Sequence, residues 1–225
     1  MTATIELSRQ YPWAILPAKP RVDRTAARET ADIYSTHFRY LRQLRTATAC
    51  PPWVLGQELG WIIPSPIDVT MGRIEEVQFH AETREEAIAV GRMLNRTEIW
   101  ERETGWFATR SDGWIKLTQF RGPEDRWEAM FLPNGDGTVE WRLGWGARIP
   151  DDMFLLIMGL NDSELQIPLG IMAAKYVNRT YEAGGLSIAI RPLGPVTVTR
   201  GMPIARMVLL HRDTIQATSA AAASC

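Results

Sequence analysis

Six tryptophans, Trp100, Trp106, Trp114, Trp127, Trp141 and Trp145, fall on or beside segments patterned as strands, with Arg110, Lys116, Arg126, Arg142 and Arg148 interleaved. Indole rings supply rigid apolar area and a guanidinium supplies orientation. The set therefore suits a cavity for a planar or extended apolar ligand bearing a carboxylate or carbonyl. Trp114, Trp127, Trp141 and Arg148 are its ligand-binding candidates, and core packing or a subunit interface accounts for the same rings. His80-Ala81-Glu82 sets an imidazole and a carboxylate on one side if a strand from Ile74 continues, a pair able to pass a proton. A strand end leading into a helix explains the same three residues. Glu75 and Glu76, adjacent on that strand, point to opposite faces, so only one is expected to line a cavity.

Metal chemistry finds no ligand spacing. His37, His80 and His211 are scattered singly, and Cys50 and Cys225 form no CxxC pair, so neither a metal nor a cofactor is expected. No nucleophile elbow, P-loop or dinucleotide glycine fingerprint occurs, and Gly135-Asp136-Gly137 has the composition of a hairpin turn.

The elements that must position these groups follow from composition and period. The 225 residues are 45% hydrophobic, with 25 Lys and Arg against 26 Asp and Glu. Such a chain has a core to bury, and it has no bulk electrostatic drive toward nucleic acid or an anionic membrane. No apolar run approaches the ~20 residues that span a bilayer, and the first residues lack a signal-peptide layout, so cytoplasmic residence is expected.

Residues 1–23, with Pro12, Pro17 and Pro20 around Tyr11 and Trp13, are predicted to be an extended arm with aromatic anchors. From Arg24 to Arg45 the spacing of Tyr34, Phe38, Leu41 and Leu44 predicts an amphipathic helix. Seven Lys or Arg against three acids between Lys19 and Arg45 make its other face basic. Cys50-Pro51-Pro52 is expected to end that helix, and Trp61-Ile62-Ile63 to form a short buried strand. Thr83, three residues before Glu86, opens a capping box for a helix of about 14 residues. From Trp100 onward, runs such as 114–117, 127–131, 139–143, 154–158, 186–190, 196–198 and 204–210 predict strands. The alanine-rich end, 216–225, is expected to be a disordered tail.

The order of signals in residues 149–210 is more specific. It runs Ile149-Pro150-Asp151-Asp152-Met153-Phe154, then Gly170-Ile171-Met172-Ala173-Ala174-Lys175-Tyr176, then Gly184-Gly185-Leu186-Ser187-Ile188-Ala189-Ile190, then Gly201-Met202-Pro203-Ile204-Ala205-Arg206. This resembles the dUTPase and dCTP-deaminase superfamily of β-barrels, with a looser match at Leu59-Gly60-Trp61-Ile62-Ile63-Pro64. A likeness to a group of uncharacterised bacterial proteins rests on Cys-Pro before Gly-Trp and a late Pro-Leu-x-Gly. The resemblance implies a mainly β fold, a dUTPase-like barrel over 24–215 with an N-terminal helix and a helical insertion at about 74–99. It also implies a homo-oligomer, a trimer in the family.

Departures from the family pattern shift the expected chemistry. Ala173 stands where dUTPases hold the water-activating Asp, Ala189 where the deaminases hold a glutamate, and Gly159-Leu160-Asn161-Asp162-Ser163 lacks the phosphate-holding Arg. Asp162, Lys175 and Tyr176 are then the catalytic candidates and Asn161 a ligand contact, all placed by the resemblance. Three functions stay open: a repurposed barrel for a hydrophobic or aromatic metabolite, acting without a metal; a nucleotide enzyme or nucleotide-binding regulator; and a structural or interaction protein. A small-molecule ligand is the expected partner; membrane and nucleic acid are not.

Overall fold

Along Ser187–Pro192 every second residue is buried, Ile188, Ile190 and Pro192, which is the period of a strand with one wet face. The same alternation marks Thr138–Arg142, where Val139 and Trp141 turn inward. The computed structural model describes residues 4–38, 50–110, 113–135, 137–160 and 164–218. Its first half comprises β1 (Glu6–Arg9), α1 (Arg24–His37), α2 (Pro51–Glu58), β2 (Trp61–Pro64), β3 (Val69–Met71), β4 (Glu76–Phe79), α3 (Arg84–Met93), β5 (Glu98–Arg102) and β6 (Gly105–Thr109). Then come α4 (Gly113–Leu117), β7 (Gln119–Arg121), β8 (Trp127–Ala129), β9 (Phe131–Gly135), β10 (Thr138–Arg142), β11 (Trp145–Arg148) and β12 (Met153–Gly159). The chain continues through β13 (Leu165–Gln166), β14 (Gly170–Ala173), α5 (Ala174–Glu182), β15 (Ser187–Pro192), β16 (Val196–Val198), β17 (Pro203–His211) and α6 (Arg212–Gln216).

The fold is mainly β. Two four-stranded antiparallel sheets, β13-β15-β10-β9 and β14-β12-β17-β2, face one core, joined at the margins by the two-stranded ladders β1-β11 and β16-β3. Leu155, Met207 and Ile63 from one sheet and Val139, Trp141 and Ile190 from the other meet there with essentially no exposed surface. Each such side chain contributes about 1.5–3 kcal/mol by leaving water. The N-terminal arm is strapped on by β1, and by Ala18 exchanging backbone hydrogen bonds with Ile62 at 3.2 and 2.9 Å.

A separate three-stranded sheet, β4-β6-β5, packs under α3 on a small core of its own: Ala81, Ala87 and Trp106, with Phe79 and Ile99. The Trp106 indole donates to the Ala81 carbonyl at 3.1 Å. β5 and β6, which together reach Thr109, complete this sheet. Thr83 caps α3 through its hydroxyl on the Glu86 N–H at 3.2 Å, and the helix is 10 residues long.

Several local expectations give way. The double proline starts α2 instead of only ending a helix, since Pro is tolerated in the first turn, where the N–H has no intrahelical partner. The segment 114–117 is the short helix α4 and not a strand; Thr118 Oγ1 closes it on the Trp114 carbonyl at 2.7 Å. Residues 170–173 form a strand followed directly by the helix α5. In the first helix, the Tyr34 side chain, Leu41 and Leu44 lie outside the described residues, as does the tail from 219.

Candidate anion-binding clefts

The sequence-derived candidates are dispersed by the fold. Trp141 has no exposed surface and sits among core side chains, its ring 5.2 Å from Phe131, which in turn lies 5.0 Å from Trp114. These rings fill the interior. Trp127 is 66% exposed on the β7–β8 hairpin, with the Arg121 guanidinium 5.8 Å from its ring. Arg148 lies on the surface, paired with Glu6 at 3.8 Å and Glu182 at 3.3 Å and lying over the Tyr181 ring. The four residues therefore do not surround a common cavity. Lys175 and Tyr176 are exposed neighbours on α5, the ammonium 4.7 Å from the ring centroid. Asn161 and Asp162 lie outside the described residues. β4 ends at Phe79, so His80 and Glu82 are not carried on one strand face.

The region singled out by the resemblance is apolar. A cleft of about 200 Å³ opens between β14 and β15, lined by Ile157, Ile167, Leu169, Met172, Ile188 and Ala189 among others, with Ser187 as its hydroxyl. Neither position that the families use for a carboxylate, Ala173 or Ala189, carries a proton acceptor here.

Cations gather elsewhere, where the β4-β6-β5 sheet meets the body of the fold. One cleft of about 420 Å³ is lined by Arg73, Glu75, Arg96 and Arg110. A second, of about 670 Å³, is lined by Arg73, Ile74, Glu76, Gly137, Arg191, Pro192 and Leu193. Arg73 belongs to both, so the clefts adjoin. Glu75 lines the first cleft and Glu76 the second, where only one of the two was expected to line a cavity.

Local chemistry fixes this arrangement. The Glu76 carboxylate accepts the Gly137 N–H at 2.8 Å and lies 3.7 Å from Arg102, whose guanidinium covers the Phe107 ring at 4.3 Å. Gly137, at φ 63°, takes the left-handed turn conformation that presents its N–H to that carboxylate. On the other side Arg96 donates to the Glu75 carbonyl at 2.7 Å, which accepts the Thr109 hydroxyl at 2.6 Å as well. Asn95, at φ 55°, ends α3 and delivers Arg96 to this position. Arg73 and Arg110 are exposed and make no side-chain hydrogen bond or ion pair among the described residues. Among the described residues four guanidinium groups thus line the two clefts with two carboxylates, Glu76 paired with Arg102 and Glu75 with Arg96 at 4.0 Å.

Guanidinium groups grip phosphate and carboxylate through paired N–H donors, so such a cluster is suited to an anion with several oxygens. Sequence inspection passed over it because Arg73, Arg96, Arg110 and Arg191 stand far apart in the chain and carry no spacing signal. The Glu75-Glu76 pair was the one local mark on the site. Among the described residues no group of three or more His, Cys, Asp or Glu is placed to hold a metal ion, and no helix is long and apolar enough to cross a membrane.

No family model and no curated protein matches the chain. Among solved structures it is similar to dUTPases. One is the dUTPase of phage phi11 of S. aureus, at 9% identity and TM-score 0.41, covering 99% of this chain and 96% of that one. Another, of Staphylococcus bacteriophage 80alpha with dUpNHpp, shows 10% identity and TM-score 0.42 over 100% of this chain and 89% of its own. The EIAV dUTPase, at 10% identity and TM-score 0.35, covers 75% of this chain and 86% of its own.

Proposed function

We propose that this protein binds a phosphate-bearing small molecule of the nucleotide kind in the paired clefts around Arg73. The observation that carries this is the convergence of Arg73, Arg96, Arg110 and Arg191 on two adjoining clefts. Together they are large enough for more than one phosphate, since small-molecule sites span about 300–1,000 Å³. Pro192 and Leu193 beside Arg191 offer an apolar wall for a ring. The role is recognition: Glu76 is held by Gly137 and Arg102, which suits it to shape the cleft and not to carry protons. The first reading from the sequence, a hydrophobic or aromatic metabolite among the indoles, loses its support there, because Trp141 and Trp145 are enclosed core residues.

A thermal-shift and calorimetric titration with tripolyphosphate and with deoxynucleoside triphosphates tests the proposal. A ligand present at 100 times its Kd stabilises the fold by about 2.7 kcal/mol. Arg73→Gln and Arg110→Gln, both at exposed positions, are each expected to weaken binding about tenfold, the loss of one charged hydrogen bond. Absence of any heat or shift with every phosphate compound at millimolar concentration would overturn it.

Self-association and residence in the cytoplasm belong to the same proposal. β14 is an edge strand, and Leu169 and Ile171 beside it are largely exposed, which supports burial against another copy, three in number as the family resemblance implies. Cys50 carries an exposed free thiol, which persists in a reducing compartment.

A further inference from the structure

A different cleft, of about 680 Å³, lies between the N-terminal arm, α2, the end of β12 and β17, and shares no lining residue with the arginine clefts. Its lining includes the apolar side chains of Trp53, Leu59, Ile62 and Met158, and among the described residues its charges are Arg21 and Arg206. Among the described residues no carboxylate lines it. Glu58, the acid on α2, is committed to the arm: it accepts the Val22 N–H at 3.2 Å and pairs with Arg24 at 3.1 Å.

Arg206 is held in place and left charged. Its Nη1 donates to the carbonyls of Gly56 at 3.1 Å, Gln57 at 3.0 Å and Leu59, gathering the free carbonyl groups at the end of α2. Among the described residues its Nη2 and Nε make no hydrogen bond, and no carboxylate neutralises it. A fixed guanidinium with unspent donors, set in an apolar cleft beside a partly exposed indole, is complementary to an anionic head on an apolar body. We infer that this cleft binds an aryl or alkyl carboxylate, with its carboxylate on Arg206 and Arg21 and its ring or chain against Trp53 and Met158.

Isothermal titration with 2-naphthoate and octanoate, against the neutral 2-naphthylmethanol and octanol, tests the inference. The carboxylates are expected to bind at least about tenfold more tightly than the alcohols, the worth of one charge-assisted hydrogen bond. Arg21→Gln and Trp53→Ala, at surface positions, should each weaken 2-naphthoate about fivefold or more. Arg206→Gln, checked for folding by circular dichroism, should do the same, and Arg73→Gln in the other cleft should leave its affinity unchanged. The inference is overturned if the alcohols bind as well as the acids, if no heat is seen at millimolar ligand, or if Arg73→Gln abolishes the binding while Arg21→Gln does not. Because phosphate recognition is read at Arg73 and Arg110, failure of either proposal leaves the other's measurement intact.

Discussion

Tyr11 stacks on Trp13 with centroids 5.2 Å apart and planes 15° from parallel, and its edge meets Phe120 at 5.0 Å. Burial pushes its phenol above the ordinary tyrosine pKa, the Glu128 carboxylate adds to the rise, and Arg142 opposes it. The sign follows from linkage: the folded state holds the phenolic proton more tightly than the unfolded chain. The stabilisation is therefore complete below the ordinary pKa of about 10 and is lost as pH rises through the folded value. Tyr11→Phe should remove that part of the alkaline loss. Melting temperatures compared between pH 9 and 11 should converge as the wild type loses its advantage, and parallel curves would refute the assignment. At this scale the sequence was informative about residue character. It marked Thr83 as a cap because a cap acts on groups close in the chain, and it marked Tyr11 and Trp13 as aromatic anchors without showing that Phe120 receives them. It could not tell Trp141 in the core from Trp127 in water, since both stand on strands of the same composition.

Among the elements, α5 shows how a helix can be set by its partner. Ala174 and Val177 are buried one turn apart, and the helix lies across β11, where a Cβ on Gly146 would strike the Thr180 backbone. Thr180 Oγ1 accepts the Ala147 N–H at 3.1 Å. Asn178 acts as a substitute strand for Ile149, accepting its N–H at 2.8 Å and donating to its carbonyl at 3.1 Å. Asn178→Ala leaves both backbone groups without a partner and should cost about 1–3 kcal/mol. The urea midpoint reads this directly, and a midpoint equal to wild type would show that the pair does not hold the helix. None of these contacts is local, which is why no helix was predicted over 174–182. α2 was hidden for a related reason: only Val54 is buried along it, so no apolar stripe accompanies its prolines. The strands from 127 onward were legible because alternation needs only neighbours two residues apart.

For the molecule as a whole, the exposed edge strand β14 is the feature that most needs an explanation. An apolar edge left bare invites pairing with another chain. Ile171 on this strand and Leu169 just before it are exposed, and Leu169 lines the apolar cleft. Sedimentation equilibrium is expected to find an oligomer, and the double variant Leu169→Lys, Ile171→Lys to find a monomer; a wild-type monomer at micromolar concentration would refute it. The amino-acid sequence by itself determined the mainly β character and the capped helix after Thr83, because those depend on period and capping chemistry within a few residues. Tertiary structure alone decided which tryptophans are core and brought Arg73, Arg96, Arg110 and Arg191 to adjoining clefts. Bringing together groups more than a hundred positions apart in the chain depends on how sheets pack, and no local pattern encodes it.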